Sequence, residues 1–151
     1  MRGLHWFRND LRLEDNRALG DLFHAVDEWC GLFVLEPRLI NIPSVSWKRL
    51  SFLFECLDDL SNDLDQNGNR LVVVEGPAET QIPRLMHKLS ASVLSFNEGT
   101  TPFARSRDQS VIASVEKAGH RVLKRRDHVI FSAADIRSSK GSAYSVYTPY
   151  R

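Results

Sequence analysis

The stretch HWFRNDLRLEDNRAL, residues 5–19, passes from a short apolar run into a segment where arginines and acids alternate around Leu11 and Leu13, and then into a helical pattern. A strand that empties into a charged loop and then a helix is how open α/β sheets present their strand carboxyl ends to ligands. Extended backbone would turn the two leucines towards the protein and Asp10, Arg12 and Glu14 away from it. The ordinary reading of this loop is self-neutralisation, with Arg8, Arg12 and Arg17 set against Asp10, Glu14 and Asp15. The functional reading is that a planar, always charged guanidinium beside a carboxylate suits a flat polar heteroaromatic ligand or a docking domain. The two are compatible.

Outward from this stretch, short apolar runs alternate with segments of helical period. Residues 3–8, 30–36, 71–75, 92–97 and 120–124 read as strands, continuous in apolar character as in parallel strands covered on both faces. Between the first two, 15–28 carries Leu19, Leu22, Phe23 and Val26 at helical spacing, with Asp15 placed to cap it. The segment 45–66 lines up Trp47, Leu50, Leu53, Phe54, Leu57, Leu60 and Leu64 on one face and turns Asp58, Asp59, Asp63 and Asp65 mainly to solvent. Gly76-Pro77 sets up a third helix with the stripe Ile82, Leu85, Met86 and Leu89, whose start Pro83 leaves open. Residues 103–118 predict a fourth, through Ala104, Val111, Ile112 and Val115. Right-handed crossovers make this βαβαβαβαβ pattern a three-layer, doubly wound, Rossmann-like sheet of five parallel strands in the order 3-2-1-4-5. The crevice beyond Arg8-Asn9-Asp10 and Asn97-Glu98-Gly99 is then the topological switch point.

Composition narrows the function classes. A chain of 151 residues with a net charge of +1 lacks the basic excess of a free-standing nucleic-acid binder, although Lys124, Arg125 and Arg126 cluster. Cys30 and Cys56 have no metal-ligand or disulfide pattern and read as reduced, buried thiols. No GxGxxG follows the first strand and no GxxxxGK[ST] occurs, the five histidines are scattered, and no local nucleophile signature is present. No metal site and no catalytic group is expected. No apolar run is long enough to span a membrane and no signal peptide is evident, so the expected address is cytoplasmic.

Residues 5–19 resemble the opening signature of the DNA photolyase and cryptochrome family, in which Trp-Phe-Arg is followed by Asp-Leu-Arg and then Asp-Asn. LFVLEPRLI, NEGTTPFARSRD and KGSAYSVYTPYR resemble further family segments in the family's order, so the likeness spans essentially the whole chain. It implies an N-terminal α/β domain over 1–131 that holds a light-harvesting antenna chromophore. Residues 132–151 would begin the linker to a helical domain that holds FAD, meets damaged DNA and performs the electron transfer. That domain would be the partner, and this chain alone would not repair DNA.

Family members with a folate antenna use an acid within the segment matching 101–105, where this chain has Phe103 and Ala104. The resemblance therefore favours a deazaflavin or flavin near the switch point. Its candidate contacts here are Arg8, Asp10, Val34, Glu36, Asn97, Gly99, Phe103 and Arg107. Two depart from the family pattern: Glu36 replaces an Asp, and Gly99 stands where many members carry an acid. Val34 also reads as plain strand packing. The competing classes are an adenine-nucleotide-binding α/β domain of the stress-protein or electron-transfer-flavoprotein type, and a scaffold module with no ligand. Against the first, only Gly99 supplies glycine between 97 and 108.

Overall fold

The computed structural model describes residues 1–43, 45–127, 129, 136, 137, 141 and 142. Its elements are β1 (Arg2–Phe7), α1 (Arg17–Ala25), β2 (Glu28–Leu35), α2 (Pro37–Ile40), α3 (Trp47–Gln66), β3 (Leu71–Glu75), α4 (Ala78–Leu89), β4 (Val93–Asn97), α5 (Pro102–Lys117) and β5 (Arg121–Arg125). The five strands form one parallel sheet in the order β3-β2-β1-β4-β5. The expected doubly wound topology is therefore the observed one. The serine-rich and aromatic stretch of 132–151 falls almost wholly outside the described residues.

Alternation along β1 explains the two cores. Leu4 and Trp6 face a cluster with Ile82 and Met86 of α4 and Val111 and Val115 of α5. Phe7 faces the other way, with Leu19 and Leu22 of α1 and Leu57, Leu60 and Leu64 of α3. Helices α1 and α3 thus cover one face of the sheet, and α4 and α5 the other. Because α1 follows β1 and α5 follows β4, the chain leaves these adjacent strands on opposite faces, which opens the switch point between them.

Several local expectations are corrected. Asp15 does not cap α1; it adopts a left-handed conformation (φ 48°) that turns the chain. Asn16 is the cap, accepting a bond from the Leu19 N–H at 3.2 Å. Helix α1 ends at Ala25, and Phe23 is exposed, edge-on to Trp29. The one-turn α2 was not anticipated. Pro83 lies within α4, which starts at Ala78 after the Pro77 cap. Both cysteines are half-buried rather than enclosed.

The largest departure concerns α3. Leu57, Leu60 and Leu64 are buried as expected, but Trp47 and Phe54 are exposed, as is Phe52. The helix has 20 residues and β3 only five, about 30 Å against about 17 Å. Periodicity identifies the apolar face, but the first turns of α3 run past the sheet and overhang the crevice.

Candidate functional site

A cavity of about 810 Å³ opens at the carboxyl ends of β1, β2 and β4, and all eight candidate residues line it. Its inner wall holds Trp6, Arg8, Asp10, Asn97, Gly99 and Arg107, while Ile40, Leu50, Phe52, Leu53 and Cys56 from α2 and α3 supply an apolar outer wall. The site thus combines a broad apolar surface with a few convergent polar groups, the usual make-up of a small-molecule pocket.

On the α1 side of the inner wall, the polar groups are bonded to one another. His5 and Ser95 are register partners on β1 and β4, and their Nδ1 and Oγ lie 2.7 Å apart. Asn16 Nδ2 donates to His5 Nε2 at 3.4 Å, so the imidazole is neutral with its proton on Nδ1, donated to Ser95. Burial lowers the His5 pKa from 6.5 to about 4, against the pull of Asp10. Asn97 Nδ2 donates to Asp10 Oδ2 at 2.7 Å and to Asn16 Oδ1 at 2.8 Å, and Asn97 Oδ1 accepts the Ala18 N–H at 3.2 Å. Both amide protons of Asn97 are therefore used inside the protein. Asp10 also accepts the Arg8 N–H at 2.9 Å. It is buried, not turned to solvent as strict alternation along the loop would have it.

The α5 side is built differently. Arg8 Nη1 donates to Asp108 Oδ1 at 2.6 Å, and Arg107 Nη2 reaches the same oxygen at 3.3 Å. The other oxygen of Asp108 accepts the Gly99 N–H at 3.1 Å. Both guanidiniums lie over the Trp6 ring, each 4.7 Å from its centroid, and Arg107 also lies 5.6 Å from that of Phe103. Arg107 Nε is buried with no hydrogen-bond partner, the sole such side-chain atom among the described residues. Burial, then repulsion from Arg8, lowers the Arg107 pKa although Asp108 opposes both. Gly99 is fixed by packing: a Cβ there would lie 2.4 Å from Ala104 Cβ. Across the cavity, Glu36 is buried and gripped by Arg38 through two bonds of 2.7 Å, which hold its carboxyl below the usual range. Val34 is buried in the core against Gly76.

The arginines of the opening loop are not balanced by its own acids. Arg8 pairs with Asp108, and Arg12 with Asp127 at 2.6 Å. The basic cluster at the end of β5 and just beyond it is likewise engaged: Lys124 and Arg126 with Glu98, and Arg125 with Asp21.

The family model for DNA photolyase matches residues 3–151. The chain belongs to the DNA photolyase family. It is 34% identical over 147 residues to a deoxyribodipyrimidine photo-lyase of a Synechococcus strain, covering 97% of this chain and 30% of that protein. It is 31% identical to cryptochrome-1 of Gallus gallus, covering 93% of this chain and 23% of that one. Among solved structures, a photolyase from Sulfolobus tokodaii with two FAD molecules superposes with a TM-score of 0.81 at 34% identity, over 88% of this chain and 31% of its own. The photolyase-family chain thus spans about a third or less of these relatives. Among its described residues no helix is long and apolar enough to cross a membrane.

Residues of this photolyase-family site that were missed from the sequence include Trp6 in the wall itself and His5, Asn16, Arg38 and Asp108 behind it. Asp108 had a local signal, an acid directly after Arg107 on a helix that begins at the crevice. His5 had none, because a lone histidine in an apolar strand looks the same whether or not a serine faces it.

Proposed function

We propose that this photolyase-family domain holds a flat light-absorbing chromophore of the flavin or deazaflavin type in the crevice between β1 and β4. The observation that carries the reading is Arg107, a buried guanidinium in the cavity wall whose Nε has no acceptor. A heteroaromatic ring edged with carbonyl oxygens and ring nitrogens would offer acceptors of the kind this wall lacks. The S. tokodaii photolyase, described as implying a novel light-harvesting cofactor, supports the same choice. Phe103 and Ala104, where a folate-binding member has an acid, argue against folate.

When bound, the chromophore supplies light absorption and through-space energy transfer. The chain supplies a rigid seat. Arg8, Arg107 and Phe103 contact the ligand, Gly99 lets α5 approach closely, and Val34 and Glu36 close the β2 side. Asp10 and Asn97 act one step back, fixing the loop that carries Arg8. The apolar residues of α2 and α3 keep water off the ring, and no acid, base or nucleophile of this chain is required. The acceptor would be FAD in a helical domain of the longer protein, approached through residues 132–151 after a chromophore domain of 1–131. Damaged DNA would be met through that domain in the cytoplasm, and this chain alone leaves pyrimidine dimers unrepaired.

The test is retention after desalting. Protein incubated separately with FMN, FAD, a deazaflavin and a methenyl folate is expected to keep absorbance above about 350 nm from the first three types only. Cys56→Trp, which narrows the cavity from α3, should lower retention about tenfold or more. Retention of none, or of folate alone, would overturn the proposal.

A further inference from the structure

A site that passes on excitation must not let the excited ring take an electron from its own wall. The electron would leave a neighbouring indole, which becomes a cation, and enter the ring; recombination would then return it and release the excitation as heat. Among the described residues that line the cavity, Trp6 is the one tryptophan and no tyrosine is present; the other aromatics are Phe33, Phe52 and Phe103. Trp6 is therefore the readily oxidised aromatic group of the wall.

Both guanidiniums of the inner wall lie over that ring, each 4.7 Å from its centroid. One carboxylate oxygen, Asp108 Oδ1, serves the two. Asp10, the other carboxylate of this wall, is bonded on the α1 side to Asn97 Nδ2 and the Arg8 N–H, and Glu36, across the cavity, is held by Arg38. Asp10 and Asp108 balance the two guanidiniums in number, but it is the guanidiniums that lie directly over the indole and oppose a third positive charge there. The burial of Arg107 and partial burial of Arg8 leave little water to screen them. The neutral indole is favoured by the same field as a cation–π contact. We propose that Arg8 and Arg107 raise the energy of oxidising Trp6 and so protect the excited state of a ring bound beside it. The inference rests on the chromophore reading for its purpose, but not for its electrostatics.

Two measurements separate these. With FMN at saturation, the wild-type domain is expected to hold flavin whose fluorescence lifetime is unchanged by Trp6→Phe. Arg107→Gln should shorten the lifetime about tenfold, Arg107→Lys should not, and adding Trp6→Phe to Arg107→Gln should restore it. In chromophore-free protein carrying Trp29→Phe and Trp47→Phe, photogenerated tris(bipyridine)ruthenium(III) should oxidise Trp6 about tenfold faster with Gln than with Arg or Lys at 107. Equal oxidation rates in all three would overturn the inference, as would a wild-type lifetime already lengthened by Trp6→Phe. Failure to retain FMN, FAD or a deazaflavin, with the expected oxidation series, would overturn the chromophore reading alone.

Discussion

The two sides of the crevice wall use polar residues in opposite ways. Under α1, His5, Ser95, Asp10, Asn16 and Asn97 form a network in which Asn97 uses both of its amide protons internally. Under α5, two guanidiniums share one carboxylate oxygen and Arg107 Nε has no partner. A satisfied buried network rigidifies its surroundings, whereas an unsatisfied group is a standing cost. The first arrangement fixes the floor of the site, and the second leaves a buried donor, Arg107 Nε, without an acceptor in its wall.

Removing the hub of the satisfied side should have the largest effect. Asn97→Ala leaves Asp10, Asn16 and the Ala18 N–H each short of a partner, and should cost about 3–4 kcal/mol in urea unfolding. A loss below about 1 kcal/mol would mean that the network is not the floor.

Acid should act on the same side with a somewhat smaller effect. The folded-state pKa of His5 lies below its unfolded value, at about 4 against 6.5. Between those values the unfolded chain binds the extra proton, so stability falls as pH drops from 6.5 towards 4. The full penalty, of order 3 kcal/mol, is reached below that window and vanishes above it. His5→Asn, which keeps a donor near the Nδ1 position, should remove this part of the slope when melts at pH 7 and 4.5 are compared.

The unsatisfied side should respond least in stability and most in binding. Arg107→Gln is expected to stay within about 1 kcal/mol of wild type, because it removes a strained buried charge together with its contacts. FMN affinity should fall about tenfold in equilibrium dialysis, or about 1.4 kcal/mol. A large loss of stability with unchanged affinity would invert the comparison.

The strand order was legible because the apolar runs are two-faced, and topology then brought Arg8, Asp10, Asn97 and Gly99 to the same crevice. The pairing of the charges was not legible. In the sequence Arg8 stands beside Asp10 and near Glu14, yet its ionic partner lies 100 positions away on α5. Local alternation suggests local neutralisation, and tertiary contact overrides it. The α3 aromatics failed for a related reason: a helical period states which residues share a face, not how far the neighbouring layer extends beneath it.

The contact at Gly99 has a consequence for sequence divergence. With Ala104 Cβ 2.4 Å from where a Cβ at position 99 would lie, the two positions cannot vary independently. A relative with an acid at the first must carry glycine at the second or start α5 further out. Starting α5 further out would also displace Arg107 and Asp108, its next turn, from the Trp6 ring. The size of one loop residue thereby sets how closely α5 approaches the strand ends, and with it the width of the cavity.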